Sequence, residues 1–138
     1  MPVQIVNVNC AIDWHRPKNS DGAPYKWGDR KNRRVDMMWS ITNVIYRWVK
    51  NSSGEIAEVG ETNRTVSERV NNYISASPTG KAGGTNKKVY EEQQALQMKG
   101  DYLYLEFTDK VPTYNLSNNR ERKLAEMLLI ACIRPYLQ

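Results

Sequence analysis

Seven consecutive apolar residues, Met127 to Ile133, follow a single acid, Glu126, near the end of the chain. A helix that is apolar all round is a buried one, and on such a helix Glu126 shares a face with Leu129, Ile130 and Ile133. A carboxylate there demands a cation, a metal ion or hydrogen-bond donors; otherwise it sits at the rim and pairs with Lys123 or Arg122. At the other end, residues 1–34 hold seven basic groups (Arg16, Lys18, Lys26, Arg30, Lys31, Arg33 and Arg34) against three acids, so four of the five net positive charges lie in the first quarter. Trp14, Tyr25 and Trp27 are interleaved with them. Such a stretch suits phosphate contacts and base stacking, or is a solvated basic arm whose aromatics are pinned to the core.

Residues 77–88 combine glycines and hydroxyl side chains with Lys81, Lys87 and Lys88. Backbone N–H groups and lysines of that kind can hold phosphate, although no Gly-Lys-Ser/Thr opens a helix at the Walker spacing. The same loop also reads as an ordinary flexible connector. No glycine-flanked serine forms a nucleophile elbow, and the one histidine, His15, lies in the basic arm, which argues against acyl transfer. Two cysteines, Cys10 and Cys132, with that histidine fall short of a four-ligand zinc site.

The elements that must position these groups follow from periodicity. Residues 3–12 alternate as a strand, and 13–34 are irregular. Residues 41–50, rich in β-branched and aromatic types, end at Asn51-Ser52-Ser53-Gly54, and Glu55 to Val59 resumes a strand, so 41–60 reads as a hairpin. Thr65-Val66-Ser67-Glu68 is a helix-capping pattern. The helix it opens carries Val66, Val70, Tyr73 and Ile74 on one stripe, with Arg69 at the edge, leaning toward the hairpin. A second helix is expected from Asn86 to Lys99, stopped by Gly100. A third strand is expected over Asp101–Thr108, and a last helix from Ser117 or Asn118 to before Pro135. The fold class is therefore α+β: a small antiparallel sheet with a three-stranded core, covered by helices, with an N-terminal basic extension. One domain of ordinary size accounts for the length, with 1–40 as an extension and 41–138 as the main body.

In that order the motifs resemble the GIY-YIG nuclease family over residues 41–138. Val44-Ile45-Tyr46 and Glu58-Val59-Gly60 look like the two halves of the signature, and Gly60-Glu61-Thr62 is similar to the turn that follows. Arg69 falls where the family carries its arginine, and Tyr73, four later, where it often carries histidine. Glu126 with Leu129-Ile130 and Arg134-Pro135 is similar to the closing motif, and Gln138 takes the slot of an asparagine. The departures are Val44 for the first glycine, Glu58 for the second tyrosine, and one extra residue between Gly60 and Arg69. Tyr73 and Gln138 point to the restriction-type branch.

The resemblance implies a metal-dependent endonuclease that hydrolyses DNA, restriction type, leaving 5′-phosphate and 3′-hydroxyl ends. Glu126 would bind Mg²⁺, with Mn²⁺ as a substitute, since hard oxygen ligands suit such ions. Arg69 would hold the scissile phosphate and Tyr46 would act as general base, its phenol lowered by Arg69 and the metal. Tyr73 would bond a phosphate oxygen or Tyr46, Gln138 would position the Glu126 end of the site, and Glu58 would be catalytic or structural. Arg30, Lys31, Arg33, Arg34, Lys81, Lys87 and Lys88 would contact double-stranded DNA, and a chain with one site would cut both strands as a homodimer. The alternatives are a catalytically weak or inactive nucleic-acid-binding module on the same scaffold, as Glu58 would suit, or a structure-specific repair or recombination nuclease. No nucleotide-cofactor fingerprint is present.

Composition agrees with that class. The 138 residues carry 20 Lys+Arg against 15 Asp+Glu, and 40% are apolar. No stretch approaches the roughly 20 apolar residues of a membrane span. No basic leader precedes a long apolar run, so a cytoplasmic or nucleoid-associated location with free thiols is expected.

Overall fold

The structure is a computed structural model and describes residues 12–30, 34, 37–75 and 85–138. Its centre is a three-stranded antiparallel sheet in the order β2-β1-β3, with β1 at Val44–Lys50, β2 at Ile56–Thr62 and β3 at Leu103–Thr108. Helix α1 (Val66–Ile74) follows β2, α2 (Thr85–Gln97) precedes β3, and α3 (Asn119–Ile133) follows it. This is the expected α+β architecture. Among the described residues no helix is long and apolar enough to cross a membrane.

Alternation along β1 sorts the side chains onto two faces. Val44, Tyr46 and Trp48 join Leu103, Leu105 and Phe107 in the larger core, which α1 closes with Val66, Val70 and Tyr73. Ile45, with Val59, faces the smaller core against Ala125 and Leu129 of α3. The β1–β2 register slips once: Trp48 pairs with Glu58 but Val49 pairs with Ile56, leaving Ala57 as a bulge beside Glu58. Glu58 lies on the near side of that slip: pairing with Trp48 as Gly60 pairs with Tyr46, it shares their face and turns its carboxylate into the larger core.

Helix ends follow the expected chemistry. Thr65 caps α1 by accepting from Glu68 N at 3.1 Å, and Asn118 caps α3 by accepting from Glu121 N at 3.1 Å. Both sheet edges are covered, which removes unpaired strand groups from solvent. His15 exchanges two backbone bonds with Phe107 (2.8 and 2.9 Å), and Trp27 N donates to Leu103 O at 3.0 Å, so the basic segment runs along β3. On the other side Tyr136 N and Leu137 N donate to Ile56 O and Ala57 O of β2.

The second helix begins at Thr85, one residue before the expected Asn86. Of the two readings of the basic arm, its aromatics follow the one that pins them to the core: Tyr25 and Trp27 are buried with Trp39 under the sheet. Two expectations need correction. The segment 41–43 is not strand: a 3₁₀ turn at Met37–Ser40 leads to Asn43, whose φ of 57° interrupts an extended run. Helix α3 is not buried all round, since Met127 is 63% exposed and Leu124 44%; a three-stranded sheet covers only one of its sides. The expected strand at 3–12 lies outside the described residues except for Ile12, which is buried in the smaller core.

Candidate active site

Tyr46 sits at the centre of β1, opposite Gly60 of β2 and Phe107 of β3. Its phenol lies across Gly60, where a Cβ would overlap the hydroxyl and stand 2.9 Å from ring carbon Cε2. The glycine is therefore demanded by space, not by backbone conformation. Helix α1 brings Arg69 and Tyr73 over the same spot, one turn apart. Arg69 Nε donates to Tyr46 Oη at 2.7 Å, and the two phenol oxygens are 2.8 Å apart. The Tyr73 hydroxyl is within 2.7 and 2.5 Å of the two Glu58 carboxylate oxygens.

Three of these side chains are withdrawn from water: Tyr46, Tyr73 and Glu58, the acid only 3% exposed. Burial pushes the Glu58 carboxyl up to about 7 against the pull of the Tyr73 hydrogen bond and of Arg69, with the Glu126 charge adding to the rise. Burial, reinforced by the Glu58 charge, holds the Tyr46 phenol well above its ordinary value, and Arg69 does not offset it. Arg69 does pull the phenol down, as expected, but burial outweighs it. Burial and the neighbouring phenol and carboxylate raise Tyr73 likewise. Burial works against the Arg69 charge, but the oxygens of Tyr46, Tyr73 and Glu58 outweigh it, so the guanidinium stays ionised.

Glu126 stands on α3 beside the end of β2. It is half-buried, so it is a rim acid and not one sealed in the core. Burial and the Glu61 charge raise its carboxyl, while the Glu61 backbone N–H, Arg69 and Lys123 stabilise the ionised form. Arg122, a candidate partner for it, is engaged elsewhere: its Nε meets Glu61 Oε2 at 2.6 Å, and its other nitrogens reach Asn43, Leu116 O and Asn119. Among the described residues no three or more His, Cys, Asp or Glu gather where a metal ion could sit.

Between α1, the end of β2 and the start of α3 lies an open groove of about 410 Å³, lined by Glu61, Thr62, Asn63, Arg64, Arg69, Asn72, Asn119, Arg122 and Lys123. Four of these are cationic, so an anion entering the groove would meet Arg69 next to Tyr46.

The other expected residues are dispersed. Gln138 uses both ends of its amide on Val59, accepting from its N at 2.9 Å and donating to its O at 2.7 Å. It therefore seals the β2 edge and supports the neighbouring Glu58 and Gly60 from behind. Arg34 is only 9% exposed; it donates to Asn71 Oδ1 at 2.6 Å and lies over Tyr25 and Trp39. That corrects its assignment as a phosphate contact, since its guanidinium is part of the core. Arg30 and Lys88 are exposed, and Lys87 pairs loosely with Glu91 at 3.9 Å. Lys31, Arg33 and Lys81 lie outside the described residues.

Two participants were not read from the sequence. Asn86 Oδ1, in the first turn of α2, accepts from Arg69 Nη2 at 3.1 Å and fixes the guanidinium from the far side. The Glu61–Arg122 pair locks the end of β2 to α3. Asn86 is an unremarkable residue 17 positions from Arg69, and no local spacing marks it. Set against protein-family models, curated proteins and solved structures, the chain finds no match.

Proposed function

We propose that this protein is a metal-dependent endonuclease of the GIY-YIG type that hydrolyses DNA phosphodiester bonds and leaves 5′-phosphate and 3′-hydroxyl ends. The observation that carries the reading is the Arg69 guanidinium held against Tyr46 Oη at 2.7 Å on the wall of a cationic groove. Phosphodiester hydrolysis needs an attacking water, an acceptor for its proton, and positive charge on the phosphoryl oxygens. The acceptor's role falls to Tyr46, itself buried but bonded to the groove-lining Arg69. Arg69 binds the scissile phosphate; among the described residues, none of its bonds to Tyr46, Tyr73 and Asn86 uses Nη1.

Glu126 fits a divalent ion. The Glu61 charge works against the ionised Glu126 carboxylate, with Arg69 and Lys123 as its nearby cations, so a bound cation would stabilise Glu126 in its charged form. A single protein carboxylate suits Mg²⁺, which keeps waters and substrate phosphate oxygens as its remaining ligands; Mn²⁺ would substitute. When bound, such an ion supplies charge for the leaving 3′ oxygen.

Arg30, Arg64, Lys88 and Lys123 are exposed and Lys87 is partly so, and these cations would be available to a duplex, with sequence reading assigned to restriction-type recognition. Cutting both strands with one site per chain calls for a homodimer, and the exposed Leu124 and Met127 of α3 offer apolar surface for it. A non-cleaving nucleic-acid-binding module is the second reading, favoured by Glu58, whose charge beside Arg69 weakens phosphate binding. The experiment that separates them incubates mixed-sequence DNA with the chain, with and without Mg²⁺. Metal-dependent scission supports the nuclease; salt-sensitive binding without scission supports the module.

A further inference from the structure

We propose that Glu58 is the terminal proton acceptor of a buried relay, from Tyr46 through Tyr73 to Glu58, that carries away the proton of the attacking water. The inference rests on the nuclease reading and deepens it. A phenol hydroxyl has one proton to donate. The Tyr73 proton is committed to the Glu58 carboxylate, with oxygen separations of 2.7 and 2.5 Å. Across the 2.8 Å Tyr46–Tyr73 contact the donor must therefore be Tyr46. Tyr46 Oη already accepts from Arg69 Nε at 2.7 Å. With its own proton directed inward, its remaining lone pair is the one left to take a proton from a water admitted beside Arg69, the groove-lining residue bonded to it. The polarity of the chain thus runs from Tyr46 to Glu58, and it is Glu58 that sets it.

The step balances along these atoms. A water O–H bond breaks as its oxygen bonds phosphorus, and the proton passes to Tyr46 Oη. The Tyr46 proton moves to Tyr73 Oη, and the Tyr73 proton moves to Glu58, which becomes a neutral carboxylic acid. The bond from phosphorus to the 3′ oxygen breaks, and that oxygen takes a proton from solvent water. After release, the Glu58 proton returns by the same route. No phenolate accumulates, which fits a Tyr46 phenol raised by burial. The groups acting on Glu58 are Tyr46 from β1, Arg69 and Tyr73 from α1, and, through its charge alone, Glu126 from α3; with the Glu58 carboxyl pushed up to about 7, the relay is open above that pH and closed below it.

The test compares the full chain with Glu58→Gln, Tyr73→Phe and the double variant in single-turnover cleavage of DNA with Mg²⁺ between about pH 5.5 and 9. DNA affinity in Ca²⁺ and thermal melting serve as controls for binding and fold. The relay predicts a wild-type rate that climbs about tenfold per pH unit below 7 and then levels. Each single variant loses on the order of 10²–10³-fold at pH 8 and no longer inflects near 7. The double variant is no slower than the worse single one, because the steps lie in series. Tyr73→Phe keeps the ring and breaks the chain even where Glu58→Gln folds poorly. A Glu58→Gln enzyme with wild-type rate and profile, or single losses that multiply, overturns the relay and leaves the nuclease standing. Wild-type protein that cuts no DNA overturns both.

Discussion

Tyr46 and Gly60 face each other across the β1–β2 ladder, and the phenol of one occupies the space where the other would carry a side chain. The hydroxyl reaches Arg69 and Tyr73 only because nothing stands on Gly60. Two residues 14 positions apart in the chain are thus one unit of the site.

Gly60→Ala should therefore displace the phenol from its bonds to Arg69 and Tyr73. Overpacking of this kind costs about 1–3 kcal/mol, so urea denaturation should show a loss in that range. DNA cleavage should fall far more than the remaining folded fraction explains. A variant with both stability and cleavage unaltered would show that Tyr46 need not lie where it does.

Glu58 also couples stability to pH. Its folded-state value of about 7 lies above the ordinary carboxyl value of 4.5. A raised acid contributes stability that is fully present below 4.5 and is lost as pH rises through 7. The difference amounts to about 3 kcal/mol. The stability of the wild type, read by denaturation, should fall between pH 4.5 and 7 relative to Glu58→Gln, whose curve lacks that fall. Parallel curves across the window would place Glu58 in water.

Arg122→Met removes the cation whose guanidinium is bonded to Glu61, Asn43, Leu116 O and Asn119. Breaking a buried pair from one side costs about 3–5 kcal/mol, and the Glu61 carboxylate, 18% exposed, places this one toward the low end. Chemical denaturation measures it; a loss below about 1 kcal/mol would assign the pair to the surface.

Gln138→Ala tests a structural role against a metal-positioning one. Losing the two bonds to Val59 should cost on the order of 1 kcal/mol. The Mg²⁺ concentration for half-maximal cleavage should stay the same, because Gln138 faces the β2 edge. A large rise in that concentration would move Gln138 to the Glu126 end of the site.

Much of this was legible locally. The hairpin, the Thr65 and Asn118 caps and the stripe of α1 rest on spacings of a few residues, and they bring Arg69 and Tyr73 over Tyr46. What was hidden depends on contacts distant in sequence. The charges of the basic arm left two places open for Tyr25 and Trp27, a stacking face or the core, and only the fold shows that they close a sheet too small to bury Trp48 alone. A run of seven apolar residues cannot say which side of α3 the sheet will cover, so Met127 was misplaced. Glu58 stands out as an odd residue, but its partner Tyr73 lies 15 positions on, and the pairing with Trp48 that faces it inward exists only between the strands.

The most direct test of the central claim is cleavage of mixed-sequence DNA by the wild-type chain and by Glu126→Ala, with Mg²⁺ and with EDTA, followed by sequencing of the ends. The account predicts breaks bearing 5′-phosphate and 3′-hydroxyl groups that vanish with EDTA and with Glu126→Ala. DNA left intact by the wild type across divalent metals, or cut equally well without Glu126, would contradict it.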